Sequence, residues 1–286
     1  MSKVSGLYRL GLRVPSLKDA SGFYRDIWAM HVDGQDGDRI FFRSTGEDHS
    51  DLVLSEGERQ LDHIGLLVGT AKELAQILKN VSKAGHSVPE EPRKGHRPGE
   101  ALVAALSDPD GTRIELIVPS GLKNTTPAET CDGLPRHMGH IVLWTPQLEK
   151  QEAFYALLGF QVSDRTHIGM SFLRCNTDHH SIALARSTSK TGLQHVAFDI
   201  GSVNEVMRES GRLRRAGVEC IWGVGRHGPG NNVFAYYNDP AGNVVEFYGD
   251  METVESAEVT EPRFWGPEHK GDIWGIAGAP PLPFRD

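Results

Sequence analysis

Little in this chain points to covalent cross-links or to a membrane. Of 286 residues only three are cysteine, Cys131, Cys175 and Cys220, an odd number with no C-x-x-C pair. That excludes a disulfide scaffold and a zinc ribbon and fits a reducing compartment. No apolar run approaches the roughly 20 residues that a membrane-spanning helix needs. The opening Met1-Ser-Lys-Val-Ser-Gly6 also lacks the apolar core of a signal peptide. Excess positive charge is missing too: 30 Lys and Arg stand against 38 Asp and Glu, a net charge of -8, which argues against a nucleic-acid partner. The expected setting is therefore the cytoplasm, with no membrane contact. What remains is an ordinary globular composition, 38% hydrophobic and 24% charged, in a chain long enough for two domains.

The chain repeats itself. Ser107-Asp-Pro-Asp-Gly111-Thr-Arg-Ile-Glu115 returns as Asn238-Asp-Pro-Ala-Gly242-Asn-Val-Val-Glu246, 131 residues on. Asp62-His63-Ile-Gly-Leu returns as Gln194-His195-Val-Ala-Phe198, and Val14-Pro15…Phe23-Tyr24 as Thr145-Pro146…Phe154-Tyr155, at offsets of 132 and 131. Three matches at nearly one spacing identify two copies of one fold. Each copy divides again. In the second, the pattern predicts strands over Met138–Trp144, 160–166, Met170–Arg174 and His180–Ala185, with a helix over Gln147–Leu158. A further strand over 194–200, a helix over 202–215 and strands over 219–224, 233–237 and 243–248 follow. The fold class is α+β, with β-α-β-β-β occurring four times. The expected divisions are residues 1–118, a linker 119–135, a second domain 136–250, and a Pro- and Gly-rich tail 251–286 whose Trp265, Trp274 and Phe284 pack on something.

The chemistry concentrates in the second copy. His140, His195 and Glu246 each lie in a short apolar strand at related module positions. Two imidazoles and a carboxylate hold ferrous iron while leaving coordination positions open. A carboxylate facing a core must be paired or metal-bound, because burying it alone costs several kcal/mol. One such histidine among 13 would be an ordinary core or surface residue; three at matching positions are not. The first copy keeps His63 and Glu115 but has Arg9 where the second has His140. A guanidinium only donates and cannot ligate, so the first copy is expected to hold no metal, with Arg9 pairing with Glu115.

With Gly225-Arg-His227-Gly-Pro-Gly230…Tyr236-Tyr-Asn-Asp239-Pro-Ala-Gly242-Asn-Val-Val-Glu246 and Arg174-Cys-Asn-Thr-Asp-His179-His180, the chain resembles the two-domain extradiol ring-cleavage dioxygenases of the vicinal oxygen chelate superfamily. The likeness runs to about residue 250. It implies two vicinal-oxygen-chelate barrel-like domains, each of paired βαβββ modules. It also implies a metal site of His140, His195 and Glu246 with Fe(II), Mn(II) being second choice. His180 takes the acid–base role, Tyr236 bonds a catechol oxygen, and His227 is the second active-site histidine. The implied partners are a catecholic small molecule and O2, and the implied assembly is a homo-oligomer.

Independently of the resemblance, a histidine titrating near neutrality can give and take protons, and a tyrosine hydroxyl is a directional partner for a phenolate. His179 is set aside, because strand alternation turns it away from His180. Val142, Trp144, Phe172, Ile182 and Ala197 are expected to line the pocket, with the tail and its Trp274 as a cap. Two other readings compete. A glyoxalase-type isomerase using zinc or nickel needs a fourth protein ligand, and Ser181-Ile-Ala-Leu-Ala185 offers none. A metal-free binding module needs no such trio at all.

Overall fold

The computed structural model describes residues 3–45, 52–88, 91–95, 100–120, 134–255 and 261–285. Most of the expected linker, with Cys131, lies outside them. Among the described residues no helix is long and apolar enough to cross a membrane.

The first half holds β1 (Val4–Val14), α1 (Leu17–Gly22) running into a π turn (Phe23–Ile27), β2 (His31–Asp36), β3 (Arg39–Arg43), β4 (Leu52–Glu56) and β5 (Gln60–Val68). It continues with α2 (Ala71–Lys83), β6 (Arg93–Lys94), β7 (Glu100–Ser107) and β8 (Arg113–Pro119). The second half holds β9 (His137–Thr145), α3 (Leu148–Leu157), β10 (Gln161–Thr166), β11 (Met170–Arg174), β12 (Ile182–Arg186) and β13 (Gly192–Gly201). There follow α4 (Val203–Arg215), β14 (Trp222–Arg226), β15 (Val233–Asn238) and β16 (Val244–Gly249). The tail adds β17 (Arg263–Trp265) and a 3-10 turn at Leu282–Phe284.

Each half is one sheet, ordered β2-β3-β4-β1-β5-β8-β7-β6 and β14-β15-β16-β13-β9-β12-β11-β10-β17. The plan is the same in both. The opening strand of a module lies parallel to that module's last strand and antiparallel to the opening strand of the next, as β9 does with β12 and β13. Two modules thus share a central seam, and a site built on the seam can draw side chains from both.

Local chemistry sets the boundaries. Helix α4 starts at Ser202, whose hydroxyl accepts from Asn204 N while Glu205 reaches back to the Ser202 backbone, a reciprocal cap that satisfies donors left free at a helix start. The strand expected over His180–Ala185 begins at Ile182. Residues 175–181 instead form a turn held by Asn176 Oδ1, which accepts from Asp178 N and Ser181 Oγ. The expected strand at 219–224 sits at Trp222–Arg226.

The halves interlock through side chains buried against each other. Trp28 stacks on Phe247 with ring centroids 3.7 Å apart. The Tyr24 hydroxyl donates to Asp239 Oδ2 at 3.0 Å, and Gln151 donates to Asp110 from the other side of the interface. Full burial of each large apolar side chain contributes roughly 1.5–3 kcal/mol.

Candidate metal centre

Strand register explains how three distant residues meet. Ala197 of β13 is the cross-strand partner of both His140 on β9 and Glu246 on β16. His195 lies two residues before Ala197, on the same face. The small Ala197 methyl leaves the centre of this row empty, and three longer side chains converge over it. Their donor atoms all lie within 4.8 Å of one another, the only such group among the described residues. His140 Nε2 is 3.1 Å and His195 Nε2 is 3.2 Å from Glu246 Oε2. All three side chains are buried. Gly139 is needed here: a Cβ would fall 1.7 Å from the Tyr248 hydroxyl, whose ring packs 5.0 Å from that of His140.

The donors fit a divalent cation. Gln194 Oε1 sits 3.0 Å from His195 Nδ1. An amide oxygen only accepts, so Nδ1 carries the hydrogen and Nε2 keeps its lone pair. That Nε2 is buried without a hydrogen-bond partner, which is costly unless something electrophilic faces it. Burial would raise the Glu246 carboxyl, but His140 and His195 outweigh it and hold it down at about 2. Burial pushes His195 below its ordinary value, against the opposing pull of Glu246. The cluster therefore offers a carboxylate and the His195 lone pair, the form a metal ligand requires.

Around the trio stand the other sequence-derived candidates. The His180 ring lies 4.3 Å from that of His140, and burial, followed by the neighbouring histidines, holds it neutral well below its ordinary value. His227 Nδ1 donates to Gly271 O at 2.7 Å, so its Nε2, 2.9 Å from the Tyr236 hydroxyl, accepts from it. Burial brings His227 down to about 4. The Tyr236 hydroxyl is pushed well above its ordinary value, first by burial and then by Glu246. Tyr236 is also the cross-strand partner of Glu246.

These groups open on a cavity of about 130 Å³ lined by His140, His180, His195, His227 and Tyr236. Of the expected lining residues, Val142 and Phe172 are there. Trp144, Ile182 and Ala197 are not. Ile182 is in the main core, Trp144 packs with Ala183 and Ala185, and Ala197 lies in the row beneath the trio. The tail does form a wall, but through Trp265, Gly271, Pro280 and Phe284. Trp274 instead lies over the Arg226 guanidinium, 5.0 Å away, and is 42% exposed.

Sequence reasoning passed over Gln194, Trp222 and His179. The repeat carried a signal for the first: Asp62 occupies its place before His63 and contacts His63 Nδ1 at 2.8 Å. Trp222 stacks on Tyr236 at 5.3 Å. His179 was set aside on strand alternation, which fails because the segment is a turn. Its Nδ1 lies 3.0 Å from His180 Nδ1. In the first half, Arg9 does approach Glu115, at 3.7 Å, but its closest partner is Glu100 at 2.6 Å. Glu115 pairs more closely with Arg113, at 2.7 Å.

The chain is similar to known proteins over both halves. The profile of the Glyoxalase/Bleomycin resistance protein/Dioxygenase superfamily matches residues 6–116 and 137–247. Metapyrocatechase 2 of Cupriavidus necator is 29% identical over 225 residues, 71% of this chain and 68% of that one. The 2,2',3-trihydroxybiphenyl dioxygenase of Sphingomonas paucimobilis is 28% identical over 268 residues, 86% of this chain and 90% of that one. Among solved structures, the Mn(II)-bound glyoxalase of Novosphingobium aromaticivorans superposes with a TM-score of 0.89 at 31% identity, covering 100% of this chain and 95% of that one. The duplicated matches, spanning both sheets and all three candidate ligands, show that this chain belongs to the Glyoxalase/Bleomycin resistance protein/Dioxygenase superfamily.

Proposed function

We propose that the protein is an extradiol dioxygenase that opens a catecholic ring beside its hydroxyls, with Fe(II) first and Mn(II) second as its metal. The single observation that carries this reading is that His140 and His195, whose donor atoms meet Glu246 behind them, open on one cavity with His180, His227 and Tyr236. Relatives named as dioxygenases of hydroxylated aromatics support the class.

His140, His195 and Glu246 would hold the metal. Bound there, it supplies chelation of two vicinal hydroxyl oxygens and a path for electrons from the ring to O2. The chain's own residues do the rest. Phe172, Trp222 and Phe284 give the cavity apolar walls, which exclude water and strengthen electrostatic contacts inside. Tyr236, held by His227 Nε2 and stacked on Trp222, aims its hydroxyl at a substrate oxygen and keeps its own proton. His180, neutral and buried, takes a hydroxyl proton from the entering catechol. It returns that proton later, from the ring nitrogen that His179 leaves free, where negative charge develops, a role worth roughly 10²–10⁴-fold in rate.

A glyoxalase-type isomerase is the second reading, and one structural neighbour carries the name glyoxalase. Among the described residues no fourth His, Cys, Asp or Glu joins the trio, which leaves the positions open that O2 chemistry needs. The deciding experiment loads the protein with Fe(II) under anaerobic conditions and admits air with a panel of catechols. A coloured ring-opened product is expected. No turnover on any catechol, with turnover of a thiol adduct under zinc or nickel, would overturn the proposal.

A further inference from the structure

Behind His180 lies a buried polar chain that ends in the tail. His179 and Asp164 are both fully buried. His179 Nδ1 faces His180 Nδ1 at 3.0 Å. On its other side, His179 Nε2 lies 3.1 Å from Asp164 Oδ2, a contact bent away from a straight hydrogen bond. Asp164 is then gripped by β17, which pairs with β10 at Asp164 and Arg263. Arg263 Nε donates to its Oδ1 at 3.0 Å and Trp265 Nε1 to its Oδ2 at 2.6 Å. Trp265 itself lines the cavity.

Proton bookkeeping along this chain has one neutral solution. A carboxylate only accepts, so the His179 nitrogen beside Asp164 carries the hydrogen. A neutral His179 then has a lone pair on Nδ1, and the hydrogen between the two Nδ1 atoms belongs to His180. His180 is left with its lone pair on Nε2, the nitrogen free to serve a ligand in the cavity. With Nδ1 unpartnered, imidazole defaults to the opposite form, with hydrogen on Nε2.

We propose that Asp164 and His179 are positioning residues that fix His180 as the Nδ1–H tautomer, with the tail strand holding Asp164 in place. Neither touches substrate, and both act through His180. The arrangement resembles the way a metal-bound histidine is oriented by an acceptor on its second nitrogen, whose loss costs about 10- to 100-fold. It ties the tail wall to the proton-handling group, because β17 and His179 share one carboxylate.

The kinetic consequence rests on the ring-cleavage reading; the tautomer itself does not. The test uses the full-length protein loaded with diamagnetic Zn(II), its histidines labelled with 15N, at pH 8. Long-range proton–nitrogen spectra should show hydrogen on His180 Nδ1 in the wild type and on Nε2 in His179→Leu. His179→Asn, whose amide oxygen replaces Nδ1 as acceptor, should keep the wild-type form. In the Fe(II) enzyme, kcat should fall roughly 10- to 100-fold in His179→Leu with KM and metal content little changed, and should largely recover in His179→Asn. A wild-type His180 with hydrogen on Nε2 overturns the proposal, whatever the variants do. So does a His179→Leu protein with unaltered tautomer and kcat. Should His179→Leu fail to fold, the wild-type and His179→Asn spectra decide. A wild type that turns over no catechol sinks the ring-cleavage reading, while the spectra still decide the role of His179.

Discussion

Replacing Gln194 by Leu tests whether the trio is a metal site prepared in advance by its neighbours. Gln194 is buried and its one polar contact at the site is Oε1 to His195 Nδ1 at 3.0 Å. Leu is close in volume, so packing changes little, but the acceptor disappears. Two losses follow. The Nδ1–H is stranded, at about 1–3 kcal/mol in the folded state, and part of that cost is escaped by moving the hydrogen to Nε2. That escape silences the very lone pair that would meet the metal. Affinity should therefore fall about 10- to 100-fold, which is about 1.4–2.7 kcal/mol. Titration of metal-free protein with Mn(II), followed by the loss of the free-ion paramagnetic resonance signal, reads this directly. Gln194→Glu, which keeps an acceptor, should retain wild-type affinity or exceed it. Equal affinity in wild type and Gln194→Leu would refute the reasoning, because His195 Nε2 would then be available without its neighbour.

Ala197→Leu should abolish stoichiometric metal binding while the protein stays folded, as read by metal analysis beside circular dichroism, because the added atoms enter the row between His140 and Glu246. Stability of the metal-free protein should fall as the solution is acidified: His227 is lowered to about 4 from its ordinary 6.5, so the unfolded chain takes up its proton first. Its share is fully present above pH 6.5 and lost as pH falls towards 4, about 2 kcal/mol between pH 7.5 and 5; urea unfolding in which His227→Gln leaves this slope unchanged would refute it. Trp28→Ala, which empties the stack against Phe247, should cost about 3–5 kcal/mol in a urea melt, and a loss below 1 kcal/mol would show that the interface is not packed as described.

The sequence was most informative where a physical rule is periodic. Glycine and Asp-Pro turns bound the strands, and the offset of 131 residues aligns the copies, so nearly every element of the second half was legible. The trio was legible because each ligand breaks an apolar strand. Side-chain direction was not legible where strands bulge or end. Alternation misjudged His179 because residues 175–181 turn to satisfy Asn176 and Ser181. It put Trp144 on the face of Val142 and Phe172, whose cluster Trp144 does join, but only those two reach the cavity; alternation gives the face and not the distance along the strand. The tail strand was illegible for a different reason. Arg263-Phe-Trp265 has no alternation and no length, and its strand exists only because Asp164 gives Arg263 and Trp265 a common buried acceptor.

The first half has Arg9 where the second has His140 yet keeps the fold, and the interface supplies a physical reason. Glu246 faces the site, so its chain neighbour Phe247 faces the opposite way, into Trp28 from the first half. Further along, Tyr24 donates to Asp239. Asp239 in turn closes the turn before β16 by accepting from the backbone of Ala241 and Asn243. The strand that carries Glu246 is thus braced along its length and at its start by side chains of the first half. A carboxylate among two imidazoles must be held to within about 0.5 Å to serve a metal, and a strand backed only by solvent would not hold it so. Arg9, meanwhile, stands at the corresponding place in the first half, paired to Glu100 and, less closely, to Glu115. A buried carboxylate must be neutralised, and Arg113 with Arg9 does that for Glu115 while the brace on the other half stays intact.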